Sequence, residues 1–170
     1  MGLVVIGIGN LFRRDDAVGL TVARRLRGCV PEGTRVVRVE GDPMEILECC
    51  AGAETVVVID AVRSGRRPGT VCRFDASRDP LPTHLFGATS THAVGLADVV
   101  ELGRALGALP PRVIVYGVEG KEFGVGQGLS EEVAAAVEAV VGRVSSDVAA
   151  LTREEEGARV VADDRPDPQS

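Results

Sequence analysis

Two adjacent carboxylates, Asp15 and Asp16, follow the apolar run 3–8 and the glycine-containing turn Gly7-Ile8-Gly9-Asn10. A third acid, Asp60, closes the run Thr55-Val56-Val57-Val58-Ile59-Asp60. One of the two histidines, His92, stands in Ser90-Thr91-His92, just ahead of an apolar helical pattern. Together these groups offer two carboxylate oxygens and one imidazole nitrogen. Three protein ligands leave coordination positions open, which is the arrangement of a working metal site rather than a structural one. An O,O,N set suits Ni²⁺, Zn²⁺ or Mn²⁺, and affinity alone does not choose among them.

Each group also has a plainer reading. Asp60 could start a loop or cap a helix. Either Asp15 or Asp16 could cap the helix that follows, but one cap suffices, so one of the two acids is left without a structural task. Asn10 could orient ligands or satisfy backbone groups in a tight turn. His84, in a Pro-rich stretch, is expected in a loop. Glu119 follows the last apolar run.

Other chemistries fit less well. Gly7 and Gly9 begin a phosphate-binding turn, but the third glycine of that motif is replaced by Phe12. Two carboxylates would also occupy the helix start where a pyrophosphate must sit. Glu40 is the candidate for the ribose-binding acid of such a site. There is no G-x-S-x-G elbow. None of Cys29, Cys49, Cys50 and Cys72 forms a C-x-x-C pair, and they read as small buried side chains in a reducing compartment. Gly7 and Gly9 are better explained as the means of turning sharply off the first strand, delivering the acids to the sheet edge.

The elements that position these residues can be read from hydrophobic period. Residues 3–8, 34–39, 55–60 and 112–118 read as strands. Two of them, 3–8 and 55–60, are almost continuously apolar, as in a parallel sheet covered on both faces. Residues 70–75 alternate and are expected at a sheet edge, after the Gly65–Gly69 turn. Helical stripes run through Val18, Val22 and Leu26; Met44, Leu47 and Ala51; Leu96, Val99, Val100 and Leu106; and Val133, Val137, Val140, Val141, Val144 and Val148. Ser130 before Glu131 and Glu132 reads as a hydroxyl cap. Alternating strands and helices predict an α/β three-layer sandwich, with a mostly parallel twisted sheet of about five strands and helices on both faces. In such a sheet ligands collect at the carboxyl ends of the strands. Residues 1–150 read as one domain, and 151–170 as a disordered charged tail.

The bulk numbers are consistent with this reading. The chain has 170 residues, 45% hydrophobic and 26% charged, with 3% aromatic residues and no Trp. A formal net charge of -6 with scattered arginines argues against nucleic acid as partner. No apolar run is long enough to span a bilayer and no leader pattern opens the sequence, so a cytoplasmic protein is expected.

Three segments carry a resemblance. Residues 7–19, from Gly7 through Asp15 and Asp16 to Gly19, the strand end Val58-Ile59-Asp60-Ala61, and Ser90–Leu96 around His92 closely resemble the hydrogenase maturation proteases. That family trims the C-terminus of the large subunit of nickel–iron (NiFe) hydrogenases. The resemblance runs in order over about residues 3–145 and extends to 116–120 and 128–130. It implies a twisted sheet between helices, with Asp16, Asp60 and His92 as catalytic and metal-binding residues. It further implies nickel contributed by the substrate as the metal, and a NiFe hydrogenase large-subunit precursor as partner. Ala17 replaces a glycine common in the family. Glu40-Gly41-Asp42-Pro43 replaces a common Gly-Gly-Thr loop, which leaves the hydrogenase class open. A reading from another class is a non-catalytic metal-dependent binding module or chaperone for the same subunit.

Overall fold

The computed structural model of the protein describes residues 2–87 and 94–163. Its strands are β1 (Leu3–Gly9), β2 (Arg35–Glu40), β3 (Thr55–Val62), β4 (Val71–Asp75) and β5 (Arg112–Glu119). The helices are α1 (Val18–Leu26), α2 (Glu45–Cys50), α3 (Thr83–Phe86), α4 (Leu96–Ala105) and α5 (Glu131–Asp163). They make one five-stranded sheet in the order β2-β1-β3-β5-β4. β1 pairs in parallel with β2 and β3, β3 pairs in parallel with β5, and β4 runs antiparallel to β5 at the edge.

The continuous apolar runs explain the layering. Alternate residues of one strand feed two separate cores. Leu3, Val5, Val57 and Ile59 pack with α1 and α5 on one face. Val4, Ile6, Val56 and Val58 pack with α2, α3 and α4 on the other. The expected three-layer α/β sandwich is therefore the observed fold. Among the described residues no helix is long and apolar enough to cross a membrane.

Several details differ from expectation. β4 follows β3 in sequence but does not pair with it; β5 inserts between them, and the returning turn is tied by Gly69 N–H to Glu119 carbonyl at 2.8 Å and Glu119 N–H to Thr70 carbonyl at 2.8 Å. In the short α2 the buried residues are Ile46 and Cys50, while Ala51 lies beyond its end and is exposed. Leu106 lies past the end of α4 and is 67% exposed. Of the cysteines, Cys50 is buried and Cys29 is exposed; none is disulfide-bonded.

The expected disordered tail is corrected over residues 151–163: α5 continues through them to Asp163. Leu151 extends the buried stripe by one position. Beyond it, Glu and Arg are strong helix formers and no proline intervenes before Pro166. The extension is tacked to the sheet's amino-terminal end by Arg112–Glu154 at 2.7 Å and Arg159–Glu54 at 3.0 Å. Residues 164–170 lie outside the described residues.

Candidate functional site

The strand order reverses direction between β1 and β3. One connection leaves β1 for β2, and the next crosses back to β3 on its other side. A crevice opens at the carboxyl ends of strands at such a switch point. Here it is a cleft of about 430 Å³, and both Asp16 and Asp60 line it.

The turn that delivers Asp16 is held by close packing. Gly9 has φ +154°, and a Cβ there would sit 2.0 Å from the Asp16 carbonyl oxygen. Gly7 has a different task from the one its spacing suggested. It lies within β1, where a Cβ would meet the Gly19 carbonyl oxygen at 2.1 Å and the Ala23 Cβ at 2.6 Å. Gly7 thus lets α1 seat directly on β1, and only Gly9 serves the turn. Asn10 braces that turn, its side-chain oxygen accepting the Phe12 N–H at 2.9 Å. Arg14 then adopts φ +50°, the one non-glycine residue with positive φ among the described residues. A side chain in that region is uncommon and costs energy that the surroundings must offset.

After Arg14 the two acids part. Asp15 is fully buried. Its carboxylate accepts the N–H groups of Lys121 and Glu122, each at 2.8 Å, and the N–H and hydroxyl of Ser130 at 2.7 and 2.8 Å. Burial alone would raise its pKa; the four hydrogen bonds outweigh burial and lower it. Asp15 is therefore a fastener that draws the β5–α5 connection onto the turn, and the N-cap positions of the helical segments that follow fall on Arg13 and Ala17 rather than on either acid. Ser130 is corrected by the same contacts. Its carbonyl takes the first helical bond from Ala134 N–H at 2.9 Å, but its hydroxyl goes to Asp15.

Asp16 is half-buried and lines the cleft. Asp60 faces it from within β3, where it pairs in register with Gly117; the strand runs on to Val62, so Asp60 neither starts a loop nor caps a helix. Burial pushes the Asp60 carboxyl well above the usual carboxylate range, and the nearby Asp16 charge pushes it further, against one opposing hydrogen bond from Ala61 N–H. Two repelling carboxylates in one partly desolvated cleft suit a cation, which would offset both the burial and the repulsion. Asp16 and Asp60, two of the three residues expected as ligands, thus line one cleft. His92 lies outside the described residues. Among the described residues no cluster of three or more His, Cys, Asp and Glu could hold a metal ion.

Arg13, Arg63 and Phe123 also line the cleft and were not singled out by their spacing, and His84 joins them. His84, expected in a loop, belongs to the one-turn α3 and is exposed to the cleft. The Arg63 guanidinium lies over the Phe123 ring, 4.5 Å from its centre. Glu119, 2% exposed, secures the neighbouring turn by accepting the N–H groups of Ser64 and Gly65 at 2.8 and 3.0 Å and the Ser64 hydroxyl at 2.7 Å. It is a brace for the cleft wall rather than a cleft group.

Comparison with known proteins matches residues 30–147 to the hydrogenase maturation protease family. The hydrogenase 2 maturation protease of Escherichia coli is 28% identical over 162 residues, covering 91% of this chain and 98% of that protein. The hydrogenase expression/formation protein HoxM of Azotobacter vinelandii is 30% identical over 141 residues, covering 80% of this chain and 67% of that one. Among solved structures, the E. coli hydrogenase maturating endopeptidase HybD superposes with a TM-score of 0.70 at 23% identity, over 87% of this chain and 92% of that chain, which speaks for the fold.

Proposed function

The chain belongs to the hydrogenase maturation protease family and is an endopeptidase of that type, and on that premise we propose that it removes the C-terminal extension of a nickel-loaded NiFe hydrogenase large-subunit precursor. The observation that carries this reading is the convergence of Asp16 and Asp60 on one cleft at the sheet's switch point.

Within that reading the chain's own residues do three things. The turn locked by Gly9 presents Asp16 with little freedom to move. The strand fixes Asp60 opposite it. With His92, these are the groups that would hold the nickel carried by the substrate. The metal, when bound, would anchor the substrate and polarise the scissile carbonyl or acidify a water. Without a cation, burial and the Asp16 charge favour the protonated form of Asp60. The cleft would then be less charged than its sequence suggests, and binding a divalent ion would require Asp60 to give up that proton.

We place the activity in the cytoplasm. Four free cysteines, with burial holding Cys50 at about 11, suit a reducing compartment.

The test is incubation with purified precursor, nickel-loaded and nickel-free, followed by mass spectrometry of its C-terminus. Loss of the extension from the loaded form alone is expected. Equal processing of both forms would overturn the nickel requirement. A stable complex with no mass change would identify a non-catalytic escort instead.

A further inference from the structure

We infer that Arg13 and Arg63 form an anion subsite on this cleft that takes a carboxylate of the substrate polypeptide. The inference rests on the proposed proteolytic reading for the nature of its ligand.

Both guanidinium-bearing residues line the same cleft as Asp16 and Asp60. Among the described residues neither makes an ion pair; the ion-paired arginines are Arg25, Arg73, Arg104, Arg112 and Arg159, all outside the cleft. The chain as a whole is acidic, at -6. The two arginines border the cleft that Asp16 and Asp60 also line, so an anion entering it meets a counter-charge near those acids.

The backbone of Arg13 and the guanidinium of Arg63 are held in place before any ligand arrives. Arg13 is half-buried, its N–H donates to the Asn10 carbonyl at 3.2 Å, and it bridges to Gly126. Arg63 stacks on Phe123, and the turn beside it is fastened by Glu119. Stacking leaves the guanidinium edge available to donate, because the ring engages its face. A planar fork of N–H donors matches a carboxylate in bidentate fashion, which an ammonium cannot do. A polypeptide offers that group in two places: an Asp or Glu side chain near the scissile bond, or the terminal carboxylate of the segment to be removed.

The experiment is steady-state processing of the nickel-loaded precursor by wild type, Arg13→Gln, Arg63→Gln, the double Arg13→Lys/Arg63→Lys variant, and Arg27→Gln as a charge control on an exposed position outside the cleft. Each cleft Gln variant is expected to raise KM roughly tenfold, equivalent to about 1.4 kcal/mol, with the loss in KM rather than kcat. Its KM should respond less to salt than that of wild type. The double Lys variant keeps the salt response and recovers part of the affinity. Arg27→Gln leaves KM unchanged. If Arg63→Gln fails to fold, Arg63→Lys takes its place. An unchanged KM in both Gln variants, or a loss confined to kcat, would overturn the subsite.

Two altered precursors locate the carboxylate. One has the acids near the scissile bond changed to Asn or Gln; the other carries a Gly-Ser extension that displaces the terminal carboxylate. A raised KM with one of them names the source, and normal KM with both overturns the inference. Should wild type cleave nothing, the Kd of the uncleaved precursor complex is measured with the same variants. Weaker binding by the Gln variants then keeps the subsite while the proteolytic reading falls; an unchanged Kd removes the subsite as well.

Discussion

Asp15 and Asp16 are consecutive, yet the first is sealed in the core on four hydrogen bonds and the second lines the cleft. Their substitution should therefore separate stability from activity. Asp15→Ala strands three backbone N–H groups and a hydroxyl. A hydrogen bond to a charged group contributes on the order of 1.5–3 kcal/mol, and several are lost together, so a destabilisation of at least about 3 kcal/mol is expected in urea unfolding. A loss below about 1 kcal/mol would contradict the fastener role.

Asp16→Asn and Asp60→Asn should do the reverse. Each should lower precursor processing by at least about a hundredfold, nearly 3 kcal/mol of barrier, without lowering the thermal midpoint. For Asp60→Asn the midpoint should rise, because a desolvated carboxyl beside the Asp16 charge is replaced by a neutral amide. Processing left intact in either variant would remove that residue from the site.

Gly9→Ala places a methyl carbon 2.0 Å from the Asp16 carbonyl oxygen, on a backbone at φ +154°. Either the turn shifts or the variant fails to fold. Chemical denaturation should show a loss of roughly 2–3 kcal/mol, the range of overpacking and backbone strain. Substitution at Gly28, φ +83° but with open space around it, should cost less.

Tyr116 is the single tyrosine of a chain without tryptophan, so its ionisation can be followed by ultraviolet absorbance without ambiguity. Burial, and then its hydrogen bond to Asp147, hold its pKa up at about 12. A raised folded pKa means the neutral phenol is favoured in the native state. The corresponding stability is fully present below the ordinary value of 10.0 and is lost as pH rises toward about 12. Asp147→Asn should lower the titration midpoint; a midpoint at the ordinary value in the wild type would contradict the buried network.

Truncation after Thr152 removes the part of α5 that carries Glu154 and Arg159. Their ion pairs are solvent-exposed, with Glu154 61% and Arg159 54% exposed. Exposed pairs contribute about 1 kcal/mol or less, so unfolding free energy should fall by no more than about 1 kcal/mol per pair. Processing should be unaffected, since the extension lies at the sheet's amino-terminal end. A large activity loss would give this segment a role in the substrate complex.

Much of this was legible in the sequence for a definite physical reason. A strand buried on both faces must be continuously apolar, so β1 and β3 announce themselves, and an acid ending such a run stands out. That singled out Asp60; the choice of Asp16 over Asp15 rested on the family resemblance, since local chemistry showed only that one of the two neighbours was spare. The roles of Asp15 and Ser130 were hidden because their contacts join residues 115 apart in sequence, and local chemistry made both look like caps. Arg63 and Phe123 were hidden for the same reason, since the stack joins two connections that only the fold brings together. The helical extension to Asp163 was missed because helix propensity without an apolar period resembles disorder when read by period alone.

The position of β5 sets the order in which the protein can mature on the ribosome. β1, β2 and β3 can pair once residue 62 has emerged. β4 must wait for a partner some forty residues away that slots in ahead of it. The donors that seat Asp15, at 121, 122 and 130, are made later still. A nascent chain thus carries Asp16 and Asp60 long before the clasp on Asp15 can close, and the cleft is complete only once the last third of the protein has docked.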